Sequence, residues 1–195
     1  DDDLDRTTSG SGLVSSCNYS EIKKLDAGNF FYNYPTDIYV PTLEEVLKLC
    51  VKEKCGINIE LKPNKDFEEK NVIEVLKVTK KFKYTLPIYY SSFDLESCIL
   101  LKKISPDSLV GILIDNFKNF NLQEVLQIAS NYDFFCCGLN YNLIDSETIK
   151  KIKEKNLILS VFYEKNIEYN MALKLWNLGV DSIFSDDPTN ILKKN

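Results

Sequence analysis

The run Ile57, Asn58, Ile59, Glu60, Leu61, Lys62 carries the sharpest chemical signal in the sequence. As a strand it alternates, so Asn58, Glu60 and Lys62 share one face while Ile59 and Leu61 share the other. A carboxylate turned inward with a cation one step above it is costly unless something receives its charge. Three readings stay open: Glu60 ligates a metal or belongs to a site, Glu60 and Lys62 neutralise each other, or the assumed facing is wrong. Ser92 and Phe93 stand where another apolar run ends. They suit either substrate contact or the capping and plugging of a helix that starts at Asp94. Asp115 could bind a cation or simply end a strand, and Ser185 and Asp186 close the last apolar run. Asp187, before Pro188, suits a helix cap better than an acid catalyst.

The residues that are missing exclude as much as those present suggest. There is no histidine in the 195 residues, which removes imidazole acid/base chemistry, His-ligated zinc and Ser-His-Asp hydrolysis from the chain itself. The balance of 24 Lys+Arg against 29 Asp+Glu gives a net charge of -5, and Arg6 is the sole arginine. A nucleic-acid partner is therefore not expected, because affinity for a phosphate backbone needs a basic surface. The glycines are isolated, or follow no strand, so no dinucleotide fingerprint or P-loop is present. The six cysteines form no CxxC, and Cys50, Cys98 and Cys136 lie within apolar runs. They are expected as buried reduced thiols, compatible with a reducing compartment, in a chain large enough to need no disulfide. With 44% apolar and 27% charged residues the chain can build one sizeable core, and no run is long and apolar enough for a membrane span.

Residues 1–41 are polar and then aromatic, with TTSGSG at 7–12 and Phe30, Phe31, Tyr32, Tyr34 and Tyr39 beyond, which predicts a loop-rich segment with a short helix near Ser20 to Asp26 capped by Ser20. From residue 42 onward helical and strand patterns alternate. Thr42 and Glu45 predict a capping box, as do Asn121 and Glu124. Asp66 and Glu69 open a second helix, and Gly179 stops the last long one. Strands are expected at 57–61, 86–90, 109–114, 133–137, 157–162 and 180–184. Their nearly even step is that of parallel strands with crossover helices, in a closed barrel or an open doubly wound sheet. The absent glycine-rich turn favours the α/β TIM barrel, with six of its eight βα units in this chain.

Several segments, in order, resemble the glycerophosphodiester phosphodiesterase family of metal-dependent TIM-barrel hydrolases. Asp1 to Thr8 with Gly10 to Val14 resembles its His-Asp-x-x-Leu-x-Arg-Thr-Thr passage, and Leu25 to Gly28 and Val40 to Leu47 follow in the family's order. Asn58 to Lys62 resembles its Asn-Ile-Glu-x-Lys strand. Ser92 and Phe93 come next, and Gly179 to Pro188 resembles its Gly-Val-Asp-Gly-Ile-x-Thr-Asp-x-Pro ending. The resemblance implies that residues 1–41 are the family's insertion packed on the barrel mouth, with 42–195 as barrel units. It implies Glu60 as a ligand of Mg2+ or Ca2+, and Lys62, Ser92, Phe93 and Phe162 as substrate wall. It also places two catalytic histidines and a Glu-x-Asp metal motif upstream of Asp1, in an N-terminal segment of the same protein. The expected reaction converts a glycerophosphodiester, such as glycerophosphocholine, to glycerol 3-phosphate and an alcohol. The chain alone is expected to be inactive. The alternatives are an inactive barrel scaffold or interaction protein, and an unrelated α/β domain. The family's Trp-Thr-x-Asn passage is Phe162, Tyr163, Glu164, Lys165 here, an aromatic kept and the Asn lost.

Overall fold

The computed structural model describes residues 2–118 and 121–192. The chain divides into two compact units, one of residues 1–57 and 62–88, the other of residues 58–61 and 89–195. Asp1, the first residue of the matched opening motif, lies outside the described residues.

In the first unit the opening segment turns back on itself. The Leu4 amide donates to the Gly12 carbonyl at 2.9 Å and the Gly12 amide to the Asp5 carboxylate at 2.9 Å. Two short helices follow, α1 (Tyr19–Ile22) and α2 (Asn29–Tyr32). The cap of α1 is Asn18 and not Ser20: Glu21 reaches back to accept the Asn18 amide at 2.7 Å, a reciprocal arrangement that Ser20 could not make from inside the helix. Helix α3 (Leu43–Glu53) begins with the expected capping box, the Glu45 amide on Thr42 Oγ1 at 3.2 Å and the Thr42 amide on Glu45 Oε2 at 2.7 Å. Helix α4 (Glu68–Thr79) starts later than expected, because Asp66 takes a left-handed φ of 69° and so cannot cap it.

The second unit holds a six-stranded parallel sheet: β1 (Ile57–Leu61), β2 (Ile88–Ser92), β3 (Leu109–Ile114), β4 (Cys136–Asn140), β5 (Ile158–Phe162) and β6 (Ser182–Ile183). The strands follow one another in sequence order. An order without reversal is that of a TIM barrel; a doubly wound sheet would reverse. Two strands are displaced from their expected positions. Strand β4 begins at Cys136 because Asp133 adopts a φ of 52° and the Phe134 amide still bonds to the Ala129 carbonyl, so residues 133 and 134 close the preceding helix, and pairing starts only at Phe135, whose amide bonds to the Val110 carbonyl. Strand β2 begins at Ile88 because the Leu86 amide is committed to the Phe82 carbonyl and Pro87 has no amide to give. Strand β6 is short, though the Asp181 and Phe184 amides extend its pairing to Leu159 and Val161 of β5.

Helices α5 (Leu95–Ile104), α6 (Leu122–Asn131), α7 (Ser146–Lys153) and α8 (Tyr169–Leu178) alternate with these strands, and a short α9 (Thr189–Leu192) ends the described chain. Asp94 caps α5 through the Ser97 amide at 2.7 Å, and Gly179, at φ 99°, ends α8 as expected. Asn121 caps α6 through the Gln123 amide at 3.0 Å, without the reciprocal Glu124 bond of a capping box. Ile112, Ile114, Leu139 and Leu159 are fully buried on the helix-covered face. Each contributes roughly 1.5–3 kcal/mol of transfer free energy. No described helix is long and apolar enough to cross a membrane.

The opposite face of the sheet is packed in its lower part around missing side chains. A Cβ on Gly111 would stand 2.3 Å from the Tyr89 hydroxyl and 3.0 Å from Cys136 Cβ. That hydroxyl is buried without a hydrogen-bond partner among the described residues. Gly111→Ala is expected to cost about 1–3 kcal/mol by overpacking. Tyr89→Phe, which removes the unpaired oxygen, should be neutral or stabilising alone and should recover part of the Gly111→Ala loss. Urea denaturation of the two single variants and the double variant checks this; additive losses would contradict it.

A second expectation concerns Asp26. Its carboxylate accepts the amides of Gly28, Asn29 and Thr36 and the Thr36 hydroxyl. The Thr36 hydroxyl, followed by the Thr36 amide, holds the carboxyl down at about 2, below its ordinary 3.8. A depressed carboxyl stabilises the fold above its unfolded value and loses that contribution as the pH falls through the folded one. Amide exchange at Gly28, Asn29 and Thr36 should therefore lose protection between about pH 4 and pH 2. In Asp26→Asn that protection should already be weakened at neutral pH.

Candidate active site

One face of the second unit's sheet can be traced side chain by side chain. Ser91 Oγ donates to Asn58 Oδ1 at 3.0 Å, which puts Asn58, and by alternation Glu60, on the face of Tyr89, Ser91 and Phe93. Gly111 adjoins Tyr89 and Cys136, Cys136 Sγ lies 3.2 Å from Ser160 Oγ, and Gly138 fits between Leu113 and Ser160. At the carboxyl ends of the strands the same face carries Glu60, Phe93, Asp115, Asn140, Phe162 and Glu164. This is the end at which barrel enzymes place their chemistry.

The structure gives β1 the expected alternation, with Asn58 and Glu60 exposed and Ile59 and Leu61 buried. Glu60 itself is exposed, so the cost expected of an interior carboxylate does not arise within this chain. Lys62, also exposed, is the first residue after the strand. Phe93 and Phe162 meet edge to face, with centroids 5.4 Å apart and planes at 85°, and form an aromatic wall on this face. Ser92 is placed elsewhere. It is fully buried on the opposite face, its hydroxyl donating to the Leu61 carbonyl at 2.8 Å and accepting the Asp94 amide at 3.0 Å. It thereby fixes the turn that presents Phe93.

Two residues of evident structural weight at this end carry no strong signal in the sequence. Asn140, 2% exposed, donates through Nδ2 to Asp115 at 2.8 Å and to Glu164 at 3.4 Å, and its Oδ1 accepts the Asn142 amide at 2.9 Å. It ties together the ends of three strands. Its place near the end of a strand is legible in the sequence, but its partners lie 24 and 25 residues away, and no local pattern marks them. Asn166 accepts both the Ser185 hydroxyl at 3.0 Å and the Asp186 amide at 3.1 Å. It sits one position beyond Lys165, where the resembled passage has its Asn, and it holds the loop after β6. Ser185 in turn accepts the Asp187 amide at 3.2 Å, and Asp187 accepts from the Asn190 side chain at 2.5 Å.

No group of three or more His, Cys, Asp or Glu able to hold a metal ion occurs among the described residues. Glu60 carries a hard carboxylate oxygen, the donor type a divalent cation takes, but the described residues complete no cation site. What the face does provide is an aromatic wall, exposed carboxylates and a braced rim. Replacing Asn140 by Asp would set a third carboxylate against Asp115 and Glu164. Its carboxyl would be raised by its neighbours, so the variant should lose about 1–3 kcal/mol at neutral pH and recover as the pH falls. Thermal melts across the acid range check this; a loss independent of pH would contradict it.

Comparison with known proteins places this geometry. The model of the glycerophosphoryl diester phosphodiesterase family matches residues 1–190. A glycerophosphodiester phosphodiesterase of Caldanaerobacter subterraneus subsp. tengcongensis is 29% identical over 199 residues, covering 98% of this chain and 76% of that protein. One from Bacillus altitudinis is 30% identical, covering 99% of this chain and 78% of the relative. Among solved structures, a phosphodiesterase from Oleispira antarctica in complex with the product sn-glycerol-3-phosphate superposes with a TM-score of 0.87 at 28% identity, covering 99% of this chain and 76% of that one. The chain so spans about three-quarters of the length of these relatives. The continuous match, the unreversed order of parallel strands and the shared face at their carboxyl ends agree: the chain belongs to the glycerophosphoryl diester phosphodiesterase family.

Proposed function

We propose that this chain forms the substrate-facing part of an enzyme that hydrolyses glycerophosphodiesters, such as glycerophosphocholine, to glycerol 3-phosphate and an alcohol. The observation that carries the proposal is the face at the strands' carboxyl ends, where Glu60 and the Phe93–Phe162 wall lie on one side of one sheet. The solved relative from Oleispira antarctica holds sn-glycerol-3-phosphate, the product such a reaction releases.

In this reading Phe93 and Phe162 pack against the carbon skeleton of glycerol and exclude water from one side of the diester. Ser92 is a positioning residue that acts through Phe93. Lys62 offers a compact positive charge to the phosphate. Glu60 is a ligand of a divalent cation, Mg2+ or Ca2+, whose remaining ligands come from residues other than those described. The proton transfers belong to two histidines of the same protein outside this sequence, since the 195 residues contain none.

The test compares the 195-residue chain with a longer form carrying the upstream residues, each with Glu60 intact or replaced by Gln. Metal titration and glycerophosphocholine hydrolysis are followed for all four. The short chain is expected to be inactive in both versions. In the long form Glu60→Gln should weaken metal binding and lower turnover by about 100-fold or more, with little change in melting temperature. Strong metal-dependent turnover by the short chain would defeat the assignment of the proton transfers. Unchanged metal affinity and turnover in the long variant would leave Glu60 as a structural partner of Lys62.

A further inference from the structure

Helix α3 ends in a Schellman motif built on two cysteines. Lys54 takes the left-handed conformation at φ 56°, the Cys55 amide donates to the Cys50 carbonyl at 3.1 Å, and the Lys54 amide donates to that of Val51 at 3.3 Å. This motif brings the side chain two residues beyond the helix end against the one three residues before it, and the pair is ordinarily an apolar contact. Here both members are thiols. Cys55 Sγ lies 3.8 Å from the Cys50 carbonyl oxygen. Cys55 is exposed, Cys50 is half-buried, and both are free. A direct N–H to C=O bond between two residues also holds their Cα atoms within the separation that a disulfide spans.

Of the four other cysteines, Cys17 is half-buried in the opening segment, while Cys98, Cys136 and Cys137 are buried in the sheet and the helix beside it. Burial pushes the Cys98 thiol up to about 12 and raises those of Cys136 and Cys137 as well, so none of the three offers an accessible thiolate. Burial, and then the adjoining Cys55, also pushes the Cys50 thiol up, which leaves exposed Cys55 as the first of the pair to react.

We propose that Cys50 and Cys55 form a thiol–disulfide modification site whose co-reactant is a small-molecule disulfide such as oxidised glutathione. The Cys55 thiolate attacks one sulfur of that disulfide, whose S–S bond breaks. One glutathione leaves as thiolate and takes up the proton that Cys55 gave. Cys50 then attacks the Cys55 sulfur, breaking the mixed disulfide and releasing the second glutathione, which takes the Cys50 proton. Two protein thiols become one disulfide while one oxidised glutathione becomes two thiols. Because the backbone already holds the two residues together, the bridge closes without unwinding α3.

The experiment equilibrates the protein with a series of ratios of reduced to oxidised glutathione, quenches with an alkylating reagent and maps the cysteines by mass spectrometry. Expected is a loss of two hydrogens confined to Cys50 and Cys55, reversed by dithiothreitol. Cys50→Ser should stop at a mixed disulfide on Cys55, and Cys55→Ser should give no bridge, both with unchanged circular dichroism. A lasting mixed disulfide on Cys55 in the unaltered protein would overturn the proposal. So would a bridge that involves Cys17 or a second molecule, or full alkylation of Cys50 and Cys55 at every ratio.

Discussion

Each inner strand of this parallel sheet satisfies its amides against neighbours on both sides while its side chains alternate between a helix-covered face and the opposite one. Every assignment in the second unit depends on that alternation. Once Gly111 stands opposite Cys136 and Gly138 opposite Ser160, the chemistry-bearing residues at the strand ends have no further freedom of facing. Phe93 and Phe162 meet because both continue that opposite face, and Asn140 reaches two carboxylates because its neighbours do the same. The apolar residues between them, Ile112, Leu139, Leu159 and Val161, hold the register from behind: a slip of one residue would turn them onto the opposite face, where the packing at Gly111 and Gly138 leaves no room for them.

The first unit rests on a different kind of order. It contains few fully buried side chains, Leu4, Leu47, Val72 and Leu86 among them, and much of its loop geometry is fixed by carboxylates that accept backbone amides. Asp26 gathers the chain from residue 28 to residue 36, Asp5 closes the opening turn, and Glu45 anchors the entry to α3. Such bonds give a definite path to a segment whose aromatic side chains, Phe30 and Phe31 foremost, remain largely exposed.

How much of this was legible in the sequence depended on the range of the interaction concerned. Strand β3, a near-continuous apolar run, was placed to the residue because burial on both faces leaves a pattern in the residues themselves. The capping box of α3 was equally local. The start of β4 was not, since Asp133 and Phe135 look as suitable for a strand as for the end of a helix, and only the left-handed turn at Asp133 decides between them. The facing of Glu60 followed from alternation, but its exposure depends on what surrounds the strand, which no pattern within it encodes. Ser92 was singled out beside Phe93, yet adjacent strand residues face opposite ways, and the hydroxyl serves the backbone. Asn140 and Asn166 act through partners more than eighteen residues distant, and a lone asparagine at the end of a run carries no mark of such a role.

The bare backbone at Gly111 and Gly138 bears on how such a face can change over evolutionary time. A side chain at Gly138 would meet Leu113 at 2.5 Å and Ser160 at 3.0 Å, so the floor between three strands admits no enlargement unless its neighbours retreat. Diversification is thereby channelled upward, into the connecting segments beyond Asp115, Asn140 and Phe162, where insertions meet solvent instead of packed atoms. Descendants of this chain could acquire new selectivity by exchanging those connections while inheriting an unaltered floor.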